Sequence, residues 1–276
     1  MEKKQNFFAK HKTFTIFSIL GILIVLVAIF APVITAGVDP TVGALSEALK
    51  PPSSEHLFGT DKLGRDLFAR VIYGARTSLV AAFAVVVLAF LIGTVAGVLA
   101  GYFGKVVDAV IMRIADMMIA FPGMILAIAV AGIMGASIRN AIIAVALVTW
   151  PKYARLARSL VLKIRDRDYV AAAIVTGSKT PYMLIKYMLP SAITTLVITG
   201  AMDIGSMMLE LAGLSFLGFG AVPPTPEWGL MLSEGRAYMT AAPWLMIFPG
   251  LAIFVVVVVF NMLGDSLRDI LDPRQE

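Results

Sequence analysis

The chain contains no cysteine and only 2 histidines, which removes several kinds of chemistry at once. Without cysteine it can hold no disulfide, no thiolate-bound metal and no cysteine nucleophile. It also has no HExxH motif, no paired histidines and no cluster of carboxylates, so nothing in it predicts a stable metal centre. A GxSxG motif is missing too, and a membrane-embedded enzyme is therefore disfavoured.

Charged residues are scarce as well, at 15% of the chain against 59% hydrophobic residues. This balance is typical of an integral membrane protein surrounded by lipid. The formal net charge is +5, but the basic residues cluster beside apolar stretches, as the positive-inside rule expects. The charge therefore does not indicate nucleic-acid binding.

Six stretches contain about 20 mostly apolar residues each, enough to cross a hydrocarbon core of ~30 Å as a helix. They lack the two-residue alternation of a membrane barrel. The sequence therefore predicts an all-α fold, a polytopic membrane bundle of about six transmembrane helices. The first run is too long for a signal peptide and is interpreted as an uncleaved anchor. The predicted spans are 14–35, 78–100, 107–133, 137–156, 189–217 and 243–264.

Basic residues between the predicted spans give an orientation. Residues 152–186 carry eight Lys and Arg against two Asp, which places this segment in the cytoplasm. With six spans, both termini are then cytoplasmic, and residues 37–76 lie outside. The latter segment has equal numbers of acidic and basic residues, as expected on the outer side.

The predicted outer segment is too long for a simple turn. One interpretation is a solvated connector whose run from Leu63 to Ile72 forms a short amphipathic helix at the membrane surface. The other interpretation starts from GTDKLGRDLFARVIYGARTSL at 59–79. This sequence resembles the external signature of permeases from the ABC importers of dipeptides, oligopeptides and nickel.

A second resemblance lies at 168–190, DYVAAAIVTGSKTPYMLIKYMLP. It is similar to the cytoplasmic coupling loop of ABC-importer permeases, although Ala171 stands where the family usually has Glu. Short Ala-rich helices joined by Gly occur in many proteins, but the position between two spans favours docking of an ATPase. We expect Tyr169 and Val170 to be apolar side chains that fit a groove of the ATPase, and Gly177 to permit a turn. The predicted coupling residues are Tyr169, Val170, Ala171, Ala172, Ala173, Gly177 and Pro190.

Further matching motifs are PPTPEWG at 223–229, FPGLAIF at 248–254 and FNMLGDSLRDILDPR at 260–274. The resemblance implies a type I ABC importer permease fold in the cytoplasmic membrane. It divides the chain into an anchor helix and external segment, 1–77, and a transmembrane domain, 78–276, with a coupling loop at about 157–188. The implied partners are a second permease, two ATPases and an external binding protein. The sequence shows no internal repeat, and an inverted-repeat secondary transporter is therefore disfavoured.

The chain has no phosphate-binding loop of the form GxxxxGK[ST]. GSKT at 177–180 is not one, because Ser178 replaces the glycine before lysine and Ala173 replaces the first glycine. We therefore expect a transport subunit that is not itself an enzyme and binds no cofactor. ATP and Mg²⁺ would be bound by the partner ATPases.

Ionisable residues inside predicted spans are the candidates for a substrate pathway. Asp203, Met207 and Glu210 fall on one helical face, where carboxylate and thioether groups suit a cationic or metal-bearing solute. The alternative is that the two carboxylates only hydrogen-bond neighbouring helices. In the third span, Arg113 and Asp116 are predicted to form a local pair.

The cargo prediction rests on MDIGSMMLELAGLSFLGFG at 202–220, which is more similar to nickel-importer permeases than to peptide permeases. Uptake of nickel, free or chelated, is therefore the first expectation. Uptake of dipeptides or oligopeptides is the alternative, because the two groups share every longer motif. A channel or transporter working without ATP is a third.

Overall fold

The computed structural model describes residues 11–271, except for the side chains of Ser191 and Leu271. Helices dominate this part of the chain, and we number them in chain order. The α-helices are α1 (Lys12–Ile29), α2 (Ala31–Ile34), α3 (Leu67–Phe103), α4 (Lys105–Ile119), α5 (Gly123–Met134), α6 (Ile138–Arg165), α7 (Asp168–Val175), α8 (Thr180–Met183), α9 (Leu189–Phe216), α10 (Trp228–Gly235) and α11 (Trp244–Leu271). Short 3₁₀ turns occupy Leu45–Glu47 and Arg236–Tyr238, and a π-helical turn occupies Leu184–Met188.

Four of the described helices, α1, α3, α9 and α11, are long and apolar enough to cross a membrane. The predicted third span, 107–133, is instead two helices, α4 and α5, bent by 94°. The bend falls just before Pro122, the N-cap residue of α5, because proline disfavours helical geometry in the residue preceding it. Counting the bent pair as one span gives five, against the six predicted.

The predicted fourth span, 137–156, is the outward part of a longer helix. Helix α6 continues to Arg165. It is not apolar enough along its length to be recognised as a span, because Lys152, Arg155 and Arg158 interrupt it. At ~1.5 Å per residue its 28 residues are about 42 Å long, so its length alone is sufficient to span. Composition therefore underestimates the ability of α6 to span the membrane, because Lys152, Arg155 and Arg158 pair with acidic residues of other helices.

Helix α3 begins 11 residues before its predicted span. Asp66 caps it by accepting a hydrogen bond from the Ala69 amide at 2.8 Å. Leu67 and Val71 are buried at 2% and 7% exposure. The prediction of a separate amphipathic helix on the membrane surface is thus wrong. Residues 67–72 of this run form the first turns of α3, whereas Leu63 precedes the helix and is exposed.

Helices α3 and α6 form the closest helix pair through glycines four residues apart on α3. A Cβ at Gly93, Gly97 or Gly101 would lie less than 3.0 Å from atoms of α6, including the Ala154 carbonyl oxygen and the Val161 side chain. Small residues at this spacing let two membrane helices approach closely. Helices α9 and α4 pack against this pair.

Residues 35–66 connect α2 to α3; many residues of the first part are exposed, and most of those from 59 to 66 are buried or half-buried. Antiparallel bridges join Gly43 to Arg65 and Thr60 to Asp66. His56 contacts the Asp66 carboxylate at 2.9 Å. The interpretation as a simple solvated connector therefore does not describe this segment.

Candidate functional site

The predicted helix–turn–helix at 168–190 is present as α7, a turn and α8. Gly177 ends α7 with φ of +81°, a left-handed conformation that glycine adopts readily. The Gly177 amide donates to Ile174 and the Ser178 amide donates to Ala173, both at 3.0 Å. These two bonds are those of a Schellman motif, so the turn geometry depends on glycine at this position.

The two faces of α7 differ sharply in exposure. Val170 and Ala173, three residues apart, are buried at 0% and 6% in a cluster with residues of α6 and the π-helical turn. Tyr169, Ile174 and Val175 are exposed at 48%, 57% and 87%. The prediction that Val170 is an exposed knob is wrong, because helical spacing turns it inward. Ala171 and Ala172 lie on the exposed side with Tyr169.

Pro190 lies within a continuous helical stretch. The segment before it is a π-helical turn, Leu184–Met188, that leads directly into α9. A proline lacks an amide hydrogen and crowds the preceding turn, and a wider π turn accommodates both effects. The α7–α8 element is consequently joined to the α9 span without a flexible linker.

Three tyrosines, which sequence reasoning missed, surround the end of this element. Tyr187 lies with its ring centroid 6.0 Å from those of both Tyr169 and Tyr182. Lys186 contacts the Tyr182 hydroxyl and lies 4.7 Å from its ring centroid. The hydrogen bond from Lys186 to Tyr182 raises the pKa of this lysine. The three tyrosines lie on three successive elements, α7, α8 and the π-helical turn, so no periodicity in the sequence indicated that they meet.

The predicted pathway residues have different surroundings. Asp203 is 5% exposed and accepts hydrogen bonds from Lys152 at 2.6 Å and Tyr153 at 2.9 Å. Met207 is also 5% exposed, and its sulfur lies 3.7 Å from the Thr149 hydroxyl. For Asp203 the geometry corresponds to the alternative, a carboxylate that hydrogen-bonds a neighbouring helix. The partners of Asp203 and Met207 all come from α6, which the sequence pattern of α9 does not reveal.

Glu210 differs from Asp203, although it lies on the same face of α9. Its side chain is partly exposed, and among the described residues it makes neither a hydrogen bond nor an ion pair. The prediction that it lines a pathway therefore stays open for this residue.

The predicted pair of Arg113 and Asp116 is wrong. Asp116 binds Arg155 of α6 at 2.6 Å. One turn away, Arg158 holds Asp108 with both arms of its guanidinium group, the Nη2–Oδ2 distance being 2.5 Å. Arg155 and Arg158 of α6 thus pair with acidic residues of α4 across the helix interface.

A cluster of charged side chains joins the 35–66 connection to α10. Arg65 and Arg70 are each 1% exposed. Arg65 binds Asp61 at 2.5 Å and Glu234 at 3.2 Å, and Arg70 binds Glu234 at 3.1 Å. Lys62 lies 3.5 Å from the same carboxylate. Bidentate and shared contacts of this kind compensate the cost of burying guanidinium groups.

The family assignment comes from comparison with known proteins. The sequence matches the family described as "Binding-protein-dependent transport system inner membrane component" over residues 93–276, more than half of the chain. The chain belongs to this family. It is a permease subunit of an ABC importer and a multi-pass membrane protein.

Two relatives cover most of the permease. The dipeptide transport system permease protein DppC of Alkalihalophilus pseudofirmus is 44% identical over 263 residues, 94% of this chain and 86% of the relative. The glutathione transport system permease protein GsiD of Pectobacterium atrosepticum is 47% identical over 223 residues, 81% of this chain and 74% of the relative.

The permease also resembles a solved structure of the MetNI methionine ABC transporter in an inward-facing conformation. The TM-score is 0.59 at 17% identity, and the match covers 74% of this chain and 97% of that one. At this identity the likeness concerns the fold alone. It confirms the predicted class, a helical membrane bundle of the ABC importer permease type.

No metal site is evident in the part of the permease that the structure describes. Between residues 11 and 271, no group of three or more His, Asp or Glu side chains is arranged to hold a metal ion.

Proposed function

We propose that this permease forms part of the translocation path of an ATP-driven importer of short peptides. The observation that carries the proposal is the 44% identity to a dipeptide permease over 94% of the chain, together with a similar match to a glutathione permease. Glutathione is itself a small peptide, so both relatives indicate the same class of cargo. The sequence at 202–220 favoured nickel, but these relatives give that preference no support.

The proposed assembly contains this permease, a second permease, two ATPases and an external binding protein. ATP and Mg²⁺ would be bound by the ATPases, since the chain has no phosphate-binding loop. The cytoplasmic membrane, with both termini in the cytoplasm, is the proposed location. It is supported by the excess of Lys and Arg at 152–186. We retain 1–77 as the anchor helix and external segment and 78–276 as the transmembrane domain, although their boundary falls inside α3.

The exposed face of α7 is the proposed contact for an ATPase. Tyr169, Ile174 and Val175 supply an apolar surface there, while Ala171 and Ala172 leave room for a close approach. The Gly177 turn fixes this face relative to α8, and the helical junction at Pro190 transmits its displacement to α9. The 157–188 loop would in this way couple ATP hydrolysis to movement of a span.

The test is transport by the assembled complex in proteoliposomes. We expect ATP-dependent uptake of a radiolabelled dipeptide or tripeptide when its binding protein is present, and no uptake of Ni²⁺ under the same conditions. Omission of the ATPases serves as the control and should abolish uptake. ATP-dependent Ni²⁺ uptake without peptide uptake would reverse the cargo assignment, and uptake without ATPases would exclude the importer mechanism.

A further inference from the structure

Lys152 is unusual because it forms an ion pair with a buried carboxylate while more than half of its own side chain is exposed. Its Nζ lies 2.6 Å from the Asp203 carboxylate, yet its side chain is 55% exposed while that of Asp203 is 7% exposed. Tyr153 donates a second hydrogen bond to Asp203. An ammonium group has three donors, and Asp203 is the partner in its one ion pair among the described residues. Lys152 therefore has donor capacity left on its exposed side.

Glu210 supplies the opposite charge on the same helical face. It follows Asp203 by seven residues, which is two turns or about 10.5 Å along α9. It lies within electrostatic range of both Lys152 and Asp203. A carboxylate inside an apolar span is costly, and such groups usually face a water-filled space or a functional partner. In the described chain Glu210 has no such partner.

We propose that Lys152 and Glu210 bind the two ends of a short peptide during its passage. The Lys152 ammonium would hold the peptide carboxylate, and the Glu210 carboxylate would hold the peptide ammonium. Asp203 is a positioning residue, since it fixes Lys152 without facing the open side. This inference rests on the proposed function, for which it names the recognised groups.

Because Asp203 holds the Lys152 ammonium at 2.6 Å, the rise of about 10.5 Å from Asp203 to Glu210 along α9 sets the length of the peptide. An extended chain covers about 3.3–3.6 Å per residue, so two to three residues reach across ~10 Å. Free amino acids are too short to contact both groups. Longer peptides would contact one of them with an uncharged backbone group. The site thus favours dipeptides and tripeptides with both ends free.

The experiment compares three tripeptides in the reconstituted complex: one free at both ends, one N-acetylated and one C-amidated. Each uptake rate is divided by the measured occupancy of the binding protein, which removes the binding protein's own preference. Glu210→Gln should slow the free and amidated peptides on the order of tenfold and leave the acetylated peptide unchanged. The matched control is Asp116→Asn, which removes a different carboxylate paired with an exposed arginine.

The lysine end is tested with the double variant Lys152→Gln/Asp203→Asn, which removes both charges and keeps an acceptor for Tyr153. We expect it to slow the free and acetylated peptides similarly and leave the amidated peptide unchanged. If this variant does not assemble, the Glu210→Gln result alone decides. Equal slowing of all three peptides by Glu210→Gln, or no slowing, overturns this inference. Absence of peptide uptake by the wild type overturns the proposed function instead.

Discussion

Glu227 is a carboxylate with almost no contact with solvent, at 2% exposure. It accepts hydrogen bonds from the amides of Gly229 at 3.0 Å and Leu230 at 2.8 Å, and so caps α10. Ser78 of α3 donates to it at 3.3 Å. Burial raises the pKa of Glu227 above its usual 4.5, and the amide hydrogen bonds oppose this effect only in part.

A raised carboxyl pKa makes stability fall as pH rises. The folded state holds the proton more tightly than the unfolded state, so the contribution of Glu227 is complete below about pH 4.5. It is lost as pH increases through the raised value. We expect Glu227→Gln to reduce the fall in melting temperature between acidic and neutral pH relative to the wild type. Each 1 kcal/mol removed corresponds to about 2–4 °C in a chain of this size.

Thermal unfolding of the detergent-solubilised permease at several pH values measures this effect. The control is Glu55→Gln, which neutralises an exposed carboxylate. A pH dependence identical in wild type and Glu227→Gln would contradict the prediction.

The contacts of single side chains were the hardest feature to predict from the sequence. The charge of Asp203 inside a span signalled importance, but its partners Lys152 and Tyr153 lie about 50 positions away on another helix. Periodicity along α9 carries no information about that helix. Arg65 and Arg70 were counted as solvent-side charges for the same reason, because their burial depends on the distant Glu234.

At the scale of elements, apolar length was a good guide to where helices lie. The span at 78–100 falls inside α3, and the span at 189–217 ends one residue after α9. Their ends were less predictable, since hydropathy measures preference for lipid. The start of α3 depends on the Asp66 cap, and the 94° bend before Pro122 depends on backbone geometry.

The turn between α7 and α8 gives a prediction at this scale. Gly177→Val places a β-branched residue at φ of +81°, which costs about 1–3 kcal/mol and disturbs the Schellman bonds. We expect the assembled complex to lose ATP-driven uptake, either through failed assembly or through ATP hydrolysis without transport. Uptake and ATPase rates measured together distinguish these results.

Gly135 offers a matched control for Gly177→Val. It has φ of +87° in the turn before α6 and likewise has no neighbouring atom within 4 Å of a built Cβ. Gly135→Val therefore also places a β-branched residue at positive φ, but away from the proposed docking surface. Equal loss of coupling in both variants would assign the effect to strain alone, and normal uptake by Gly177→Val would exclude the docking role.

At the scale of the whole molecule, Glu234 of α10 connects the C-terminal half of the chain to Arg65 and Arg70 in the N-terminal half through ion pairs. Its carboxylate forms ion pairs with both Arg65 and Arg70. Removing it leaves two buried guanidinium groups with less negative charge nearby. We expect Glu234→Leu to lower the free energy of unfolding by about 3–5 kcal/mol. Denaturation of the purified permease, followed by tryptophan fluorescence, measures the change.

Lys62→Met is the appropriate control for the Glu234 variant. It removes a contact to the same carboxylate, but at 3.5 Å and from a side chain 35% exposed. An exposed pair of this type contributes about 0–1 kcal/mol. A similar destabilisation in both variants would show that burial of the arginines is not what makes Glu234 important.

The ion pairs of Glu234 also set an order of events during synthesis. Arg70 and Glu234 are separated by 164 positions in the chain. At about 5–20 residues per second, a ribosome needs roughly 8–30 s to progress from one to the other. Throughout that interval the two arginines must remain hydrated, and the 35–66 connection cannot close. The 35–66 connection thus reaches its final structure only after Glu234 of α10 has been synthesised.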